Sequence, residues 1–196
     1  MVSRDSALFH TWFITWRTYG TWLPGAKGFV GYYRAPNRTI RNEYDSPTAA
    51  ANPNLKAYAG QLMKGQAVEL ILPEANSIFE QLKETVAHKL WKLHAVAILS
   101  THVHIVLSVT GNPEGSYVLK ALKNYASRKL NAESVLINAP RWFADRGSTR
   151  LVQGDLREVI NYIRNQANPL IVWVDEDVSQ PATDVAGTPK PRPPSD

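Results

Sequence analysis

The spacing of apolar residues switches between a period of two and a period near 3.6 along the chain, and each switch predicts an element. Residues 8–16 (LFHTWFITW) carry aromatic and β-branched side chains on both faces, which predicts a strand inside a sheet. Residues 17–70 hold no sustained period. Turn-rich blocks at 19–25 and 28–31 interrupt them, and only 54–69 suit a short helix. Behind Pro73, a residue suited to a first turn, Ile78, Phe79, Leu82, Val86 and Leu90 recur at helical spacing and predict a helix over 73–91. Residues 94–99 form a short apolar strand. Residues 100–107 alternate as a second strand, and a tight turn at Ser100-Thr101 would pair the two antiparallel, one long bent strand being the alternative. Asn112-Pro113-Glu114-Gly115 breaks the chain. A helix over 116–131 follows, with Val118, Leu119, Leu122, Ala126 and Leu130 on one face. Residues 147–152 predict a short strand. The last helix runs from Gly154-Asp155 to Gln166, with Asp155 and Glu158 in the turn where the helix dipole favours negative charge, and Pro169 beyond its end.

With 17–70 set aside, the order is β-α-β-β-α-β. That is an α+β, ferredoxin-like antiparallel sheet with helices on one face and an added C-terminal helix. Residues 1–174 are expected to be one catalytic domain with 17–70 as an irregular insertion. Large apolar residues cease after Trp173, so 175–196 are expected to be a disordered tail.

Composition narrows the function classes only a little. The net charge of +5 suits a polyanionic partner without requiring one. The absence of cysteine excludes a disulfide framework and zinc sites built on thiolates. No apolar run reaches ~18 residues and no basic start precedes one, so a soluble, cytoplasmic protein with no membrane partner is expected.

Candidate chemistry centres on His102-Val103-His104. Residues two apart on a strand share a face at roughly 6–7 Å, so the two imidazoles stand side by side and can hold one divalent metal. Such pairs also occur on strands without metal, and a third ligand would separate the two readings. On the last helix Leu156, Val159, Ile160, Ile163 and Ala167 form an apolar arc. Tyr162 and Gln166 lie at one margin of it, one turn apart. Gln166 offers an amide oxygen, a hard ligand suited to Mg²⁺. Tyr162 offers a phenol, whose pKa near ~10 makes it a poor nucleophile unless a neighbouring cation stabilises the phenolate. Tyr125, the rival, falls within the apolar arc of its own helix. His10 and His88 lack a partner on their face, while His94 is a possible neighbour of the pair through the turn. Lys120, Lys123, Asn124, Ser127 and Arg128 share the polar face of the 116–131 helix. With Arg141 and Arg150 they suggest a phosphate-backbone surface. Aromatics beside cations at 32–34 and 38–41 fit stacking on nucleic acid or packing on the domain.

These residues resemble a family. His102-Val103-His104 is similar to the His-hydrophobic-His (HUH) signature of insertion-sequence-200-like single-tyrosine transposases. Tyr162 followed by Gln166 is similar to that family's nucleophile and third metal ligand. The blocks 121–131 (ALKNYASRKLN), Tyr19-Gly20-Thr21-Trp22-Leu23-Pro24-Gly25 and Gly147-Ser148-Thr149-Arg150 resemble its REP-associated tyrosine transposase branch. The resemblance implies that His102, His104 and Gln166 hold Mg²⁺ or Mn²⁺ and that Tyr162 attacks single-stranded DNA beside a hairpin. The products would be a 5′-phosphotyrosine and a free 3′-hydroxyl, made by a monomer or a homodimer. Thr101 stands where the family often has Asn. Asn168-Pro169 lies beyond Gln166, which makes Asn165 a fallback ligand. Two other functions compete: a nucleic-acid-binding protein derived from such an enzyme and no longer catalytic, and a metal hydrolase that activates water and leaves no protein–DNA adduct.

Overall fold

The computed structural model describes residues 9–27, 29, 33–35, 38–40, 50–134 and 141–176. In chain order the elements are β1 (Phe9–Thr18), β2 (Tyr33–Ala35), β3 (Arg38–Ile40), α1 (Pro53–Gln61) and α2 (Leu72–His88). There follow β4 (Lys92–Ile98), β5 (His102–Thr110), α3 (Gly115–Glu133), β6 (Phe143–Leu151), α4 (Leu156–Arg164) and β7 (Ile171–Val174). Five strands make one antiparallel sheet in the order β6-β1-β5-β4-β7. Its first four strands have the ferredoxin-like arrangement, as the sequence predicts, and β5 with its two histidines is the middle strand. The expected tight turn at Ser100-Thr101 is present: the Leu99 N–H donates to the His102 carbonyl at 2.9 Å, and β4 and β5 pair antiparallel.

Strand alternation divides the sheet into two unlike faces. Ile14 and Trp16 of β1, Val96 and Ile98 of β4, and Val103, Ile105 and Leu107 of β5 are buried on one face. Ile78, Leu82 and Val86 of α2 and Val118, Leu122, Ala126 and Leu130 of α3 cover them. Each such large apolar side chain contributes about 1.5–3 kcal/mol on burial. The opposite face has a smaller apolar patch, Ala95, Ala97, Leu99 and Val106, against which α4 lays Ile160 and Ile163. The two alanines let that helix lie close over β4. Beyond the patch, towards β1 and β6, the side chains on this face turn polar.

Several elements differ from the sequence expectation: β1 runs on to Thr18 and β6 begins at Phe143. The predicted 73–91 helix ends at His88. Leu90 takes φ 55° and the Trp91 N–H returns to the Val86 carbonyl at 2.9 Å, so Leu90 leaves the apolar face and is 78% exposed. The last helix ends at Arg164, not Gln166, because Asn168 adopts φ 52° ahead of Pro169, which disfavours helical geometry in the residue before it. Ala167, expected in the apolar arc, is therefore exposed. Strand β7 was not expected at all. It adds to the β4 edge with Val96 opposite Trp173.

Within 17–70 the structure holds the β2–β3 hairpin and α1. Residues 32 and 41 of the aromatic and cationic runs lie outside the described residues, as do 177–196 of the expected tail. No helix among the described residues is long and apolar enough to cross a membrane.

Candidate active site

On the polar half of the α4-side face, His102 and His104 stand side by side on β5, with ring centroids 4.7 Å apart and planes at 85°. Cross-strand register sets each opposite a β1 residue: Arg17 faces His102 and Thr15 faces His104. The Thr15 hydroxyl lies 2.7 Å from Nδ1 of His104, and the Thr101 hydroxyl 2.9 Å from Nδ1 of His102. When Nδ1 carries the proton and donates to threonine, Nε2 of each ring is left with its lone pair. His104 is 6% exposed. Burial, then the charges of His102 and Arg17, pushes its pKa down to about 4. Burial and Arg17 lower His102 as well. Both rings are thus neutral at neutral pH.

Tyr162 reaches this pair from α4. Its ring stands edge-on to His104 at 5.5 Å between centroids and edge-on to Phe13 of β1 at 5.8 Å. It is 52% exposed, so the helix stays packed through Ile160 and Ile163 while the phenol remains open to solvent. A cleft of about 480 Å³ opens beside it between α4 and β6, lined in part by Phe13, Arg150, Glu158, Val159 and Tyr162. Two elements far apart in sequence therefore bring one phenol and two imidazoles together.

The other ionisable candidates lie elsewhere. Tyr125, half-buried on α3, belongs to the opposite side of the sheet. His94 is not a neighbour of the pair. It sits at a bulge in β4 and bonds the Ser108 hydroxyl at 2.7 Å, four residues along β5 from His104, or roughly 13 Å. His10 bonds the Gly111 carbonyl.

A divalent cation is compatible with this donor set. Two neutral imidazoles, each fixed through Nδ1, form half of a tetrahedral or a third of an octahedral shell. Among the described residues no three His, Cys, Asp or Glu side chains converge, so a further protein ligand would be a neutral oxygen donor. Gln166 lies one residue past the Asn165 cap, and its Nε2 donates to the Tyr162 carbonyl at 3.0 Å. That bond ties the amide to Tyr162 although the helix has already ended.

The six expected DNA contacts divide between two places. Arg150 lies on the site face, opposite Phe13 in the ladder and 5.6 Å from its ring. Lys120, Lys123, Ser127 and Arg128 belong to α3 on the other face, where Lys120, Lys123 and Ser127 line a groove of about 550 Å³ against β6. Lys123 donates to the carbonyls of Ala144 and Asp145, and burial lowers its pKa. Arg141 pairs with Asp145 and lies 5.3 Å from the Tyr19 ring.

Sequence reasoning missed Thr15 and Arg17, which share the histidines' face. The alternation of β1 through Phe13, Thr15 and Arg17 puts the two on one face, but only the cross-strand register places that face beside the histidines.

No protein-family model matches the chain, and no curated protein does. Solved structures similar to it include a REP-associated tyrosine transposase bound to a REP hairpin. That likeness has 10% identity over 83% of this chain and 70% of the other, with a TM-score of 0.45. They also include a proposed transposase from Deinococcus radiodurans R1, at 14% identity over 86% of this chain and 98% of the other, with a TM-score of 0.46.

Proposed function

We propose that this protein cuts and rejoins single-stranded DNA through a covalent bond to Tyr162, acting as a tyrosine transposase or a nicking nuclease of that kind. The observation that carries the reading is the meeting of Tyr162 with His102 and His104 on an open sheet face. A phosphodiester on the open sheet face where Tyr162 meets the histidines would be within reach of the phenol and the imidazoles, with the flanking strand running on into the cleft beside α4. The Tyr162 oxygen bonds to phosphorus as the bond from phosphorus to the 3′-oxygen breaks. The phenol proton leaves to solvent, and the departing oxygen takes one up as a 3′-hydroxyl. The diester's energy stays in the 5′-phosphotyrosine, so a 3′-hydroxyl can reverse the attack without ATP.

The histidines hold their place as neutral donors, positioned by Thr15 and Thr101. With Gln166 they would bind Mg²⁺ or Mn²⁺, which when bound supplies Lewis-acid polarisation of the phosphate. Arg150 offers a phosphate contact on the same face. A folded REP-like hairpin is the proposed form of the substrate, its duplex part reaching the basic groove between α3 and β6.

The test uses the full chain, Mn²⁺, and a pool of end-labelled single-stranded hairpins from the flanks of its gene, read on a denaturing gel. A label that travels with the protein, and is lost in Tyr162→Phe, is the expected result. Cleavage with no adduct would point to a water-activating hydrolase, and binding with no cleavage to a binding module.

A further inference from the structure

Arg17 is a cation on the site face that no carboxylate answers among the described residues. It stands one residue before the end of β1, directly opposite His102. Its guanidinium lies 4.0 Å from the ring centroid of Trp22, close enough to be held by the aromatic face. No acidic side chain pairs with it among the described residues. Half-burial works against its charge, while Tyr162 is near enough for a phenolate there to favour that charge.

The loop that carries Trp22 is pinned to the same spot. Thr18 donates its N–H to the Thr101 carbonyl at 2.9 Å and its hydroxyl at 3.1 Å, and the Thr21 hydroxyl reaches the Thr18 carbonyl at 3.2 Å. Gly20, at φ 74°, lets this turn close where an added Cβ would meet Ala67. Arg17, Trp22, Thr101 and His102 are thus one rigid corner. A partly desolvated, unpaired guanidinium fixed in orientation is a ready receptor for an oxyanion.

We propose that Arg17 is a further catalytic residue, whose guanidinium binds a nonbridging oxygen of the scissile phosphate as Tyr162 attacks. The proposal rests on the tyrosine-transfer reading above. While the bond from the Tyr162 oxygen to phosphorus forms and the bond to the 3′-oxygen breaks, the nonbridging oxygens carry the negative charge. Arg17 supplies a counter-charge that needs no reorganisation. Trp22 sets the plane of the fork.

The experiment measures the single-turnover rate of adduct formation with Mn²⁺ for the wild type, Arg17→Gln and Arg17→Lys. Two hairpins are compared: one with an ordinary scissile phosphodiester, and one with a methylphosphonate there, which removes the charge on a nonbridging oxygen. Arg17→Gln should lose about 10²–10³-fold on the ordinary diester, the scale seen when one oxyanion donor is removed. On the methylphosphonate the loss should shrink at least about tenfold, because the charge Arg17 answers is gone. Arg17→Lys keeps the charge without the fork, should fall between, and carries the comparison if the Gln variant does not fold. Equal losses on both substrates, or wild-type rates in the variants, would overturn the role of Arg17 while leaving the tyrosine chemistry intact. A wild type that forms no adduct would overturn both.

Discussion

Two threonine hydroxyls decide which nitrogen each site histidine can offer. Thr15 and Thr101 occupy Nδ1 of His104 and His102 and so direct Nε2 to any cation. Replacing Thr15 by Val keeps the shape of β1 but removes the acceptor. We expect Mn²⁺ affinity to fall about 10–100-fold, the usual cost of losing such an outer contact, with little change in stability. Titration of the purified protein with Mn²⁺, followed by the ion's paramagnetic signal, would measure it. Unchanged affinity would mean that the hydroxyl does not orient the ring. At this scale the sequence showed the histidines and Tyr162 but not their supports. A His-x-His pair and an amphipathic helix margin are local patterns. The Thr15 and Arg17 partnerships are cross-strand facts that depend on register, and β1 runs two residues beyond its expected end.

Helix ends were the least legible elements, and each miss has a local cause. The apolar period of α2 continues through Leu90, but the backbone turns left-handed there and exposes the side chain. A leucine at that position carries strain that glycine does not. Leu90→Gly should therefore raise stability by about 1 kcal/mol, read as a higher urea midpoint with an unchanged slope. A lower midpoint would show that Leu90 makes contacts worth more than the strain. The order of strands and helices was legible because their apolar periods are strong: the buried faces of α2 and α3 contain most of the residues the spacing selects. Strand β7 was not legible. Four residues wedged between Asn168-Pro169 and a polar stretch give too short a pattern to distinguish a strand from the start of a tail.

Across the whole molecule, two histidines buried on the sheet, His94 and His104, and a half-buried third, His102, link folding to pH. Burial is the first cause lowering His94, His102 and His104, the last to about 4. The unfolded chain takes up these protons near ~6.5, the folded chain only at lower pH, so unfolding binds protons between those values. The stabilisation is complete above about pH 6.5 and is lost as pH falls through the folded values, with the His104 share lost last. In chelated buffer the urea midpoint should drop between about pH 7.5 and pH 5. A midpoint that held or rose would contradict the burial of neutral imidazoles. The two sheet faces also carry different tasks, with the phenol and imidazoles on one and the basic α3 groove on the other.

Strand β7 has one more effect. The Leu170 N–H donates to the Ile98 carbonyl just past α4, and the Val152 N–H to the Thr11 carbonyl just before it. The short helix bearing Tyr162 is thereby moored fore and aft to its own sheet. On the proposed chemistry, a DNA end joined to that tyrosine rides on a berth tied at both ends to this chain's own sheet, and to swing across to a neighbour it would have to break those ties. While those ties hold, exchange of partners falls to the nucleic acid: the incoming 3′ end travels to the helix.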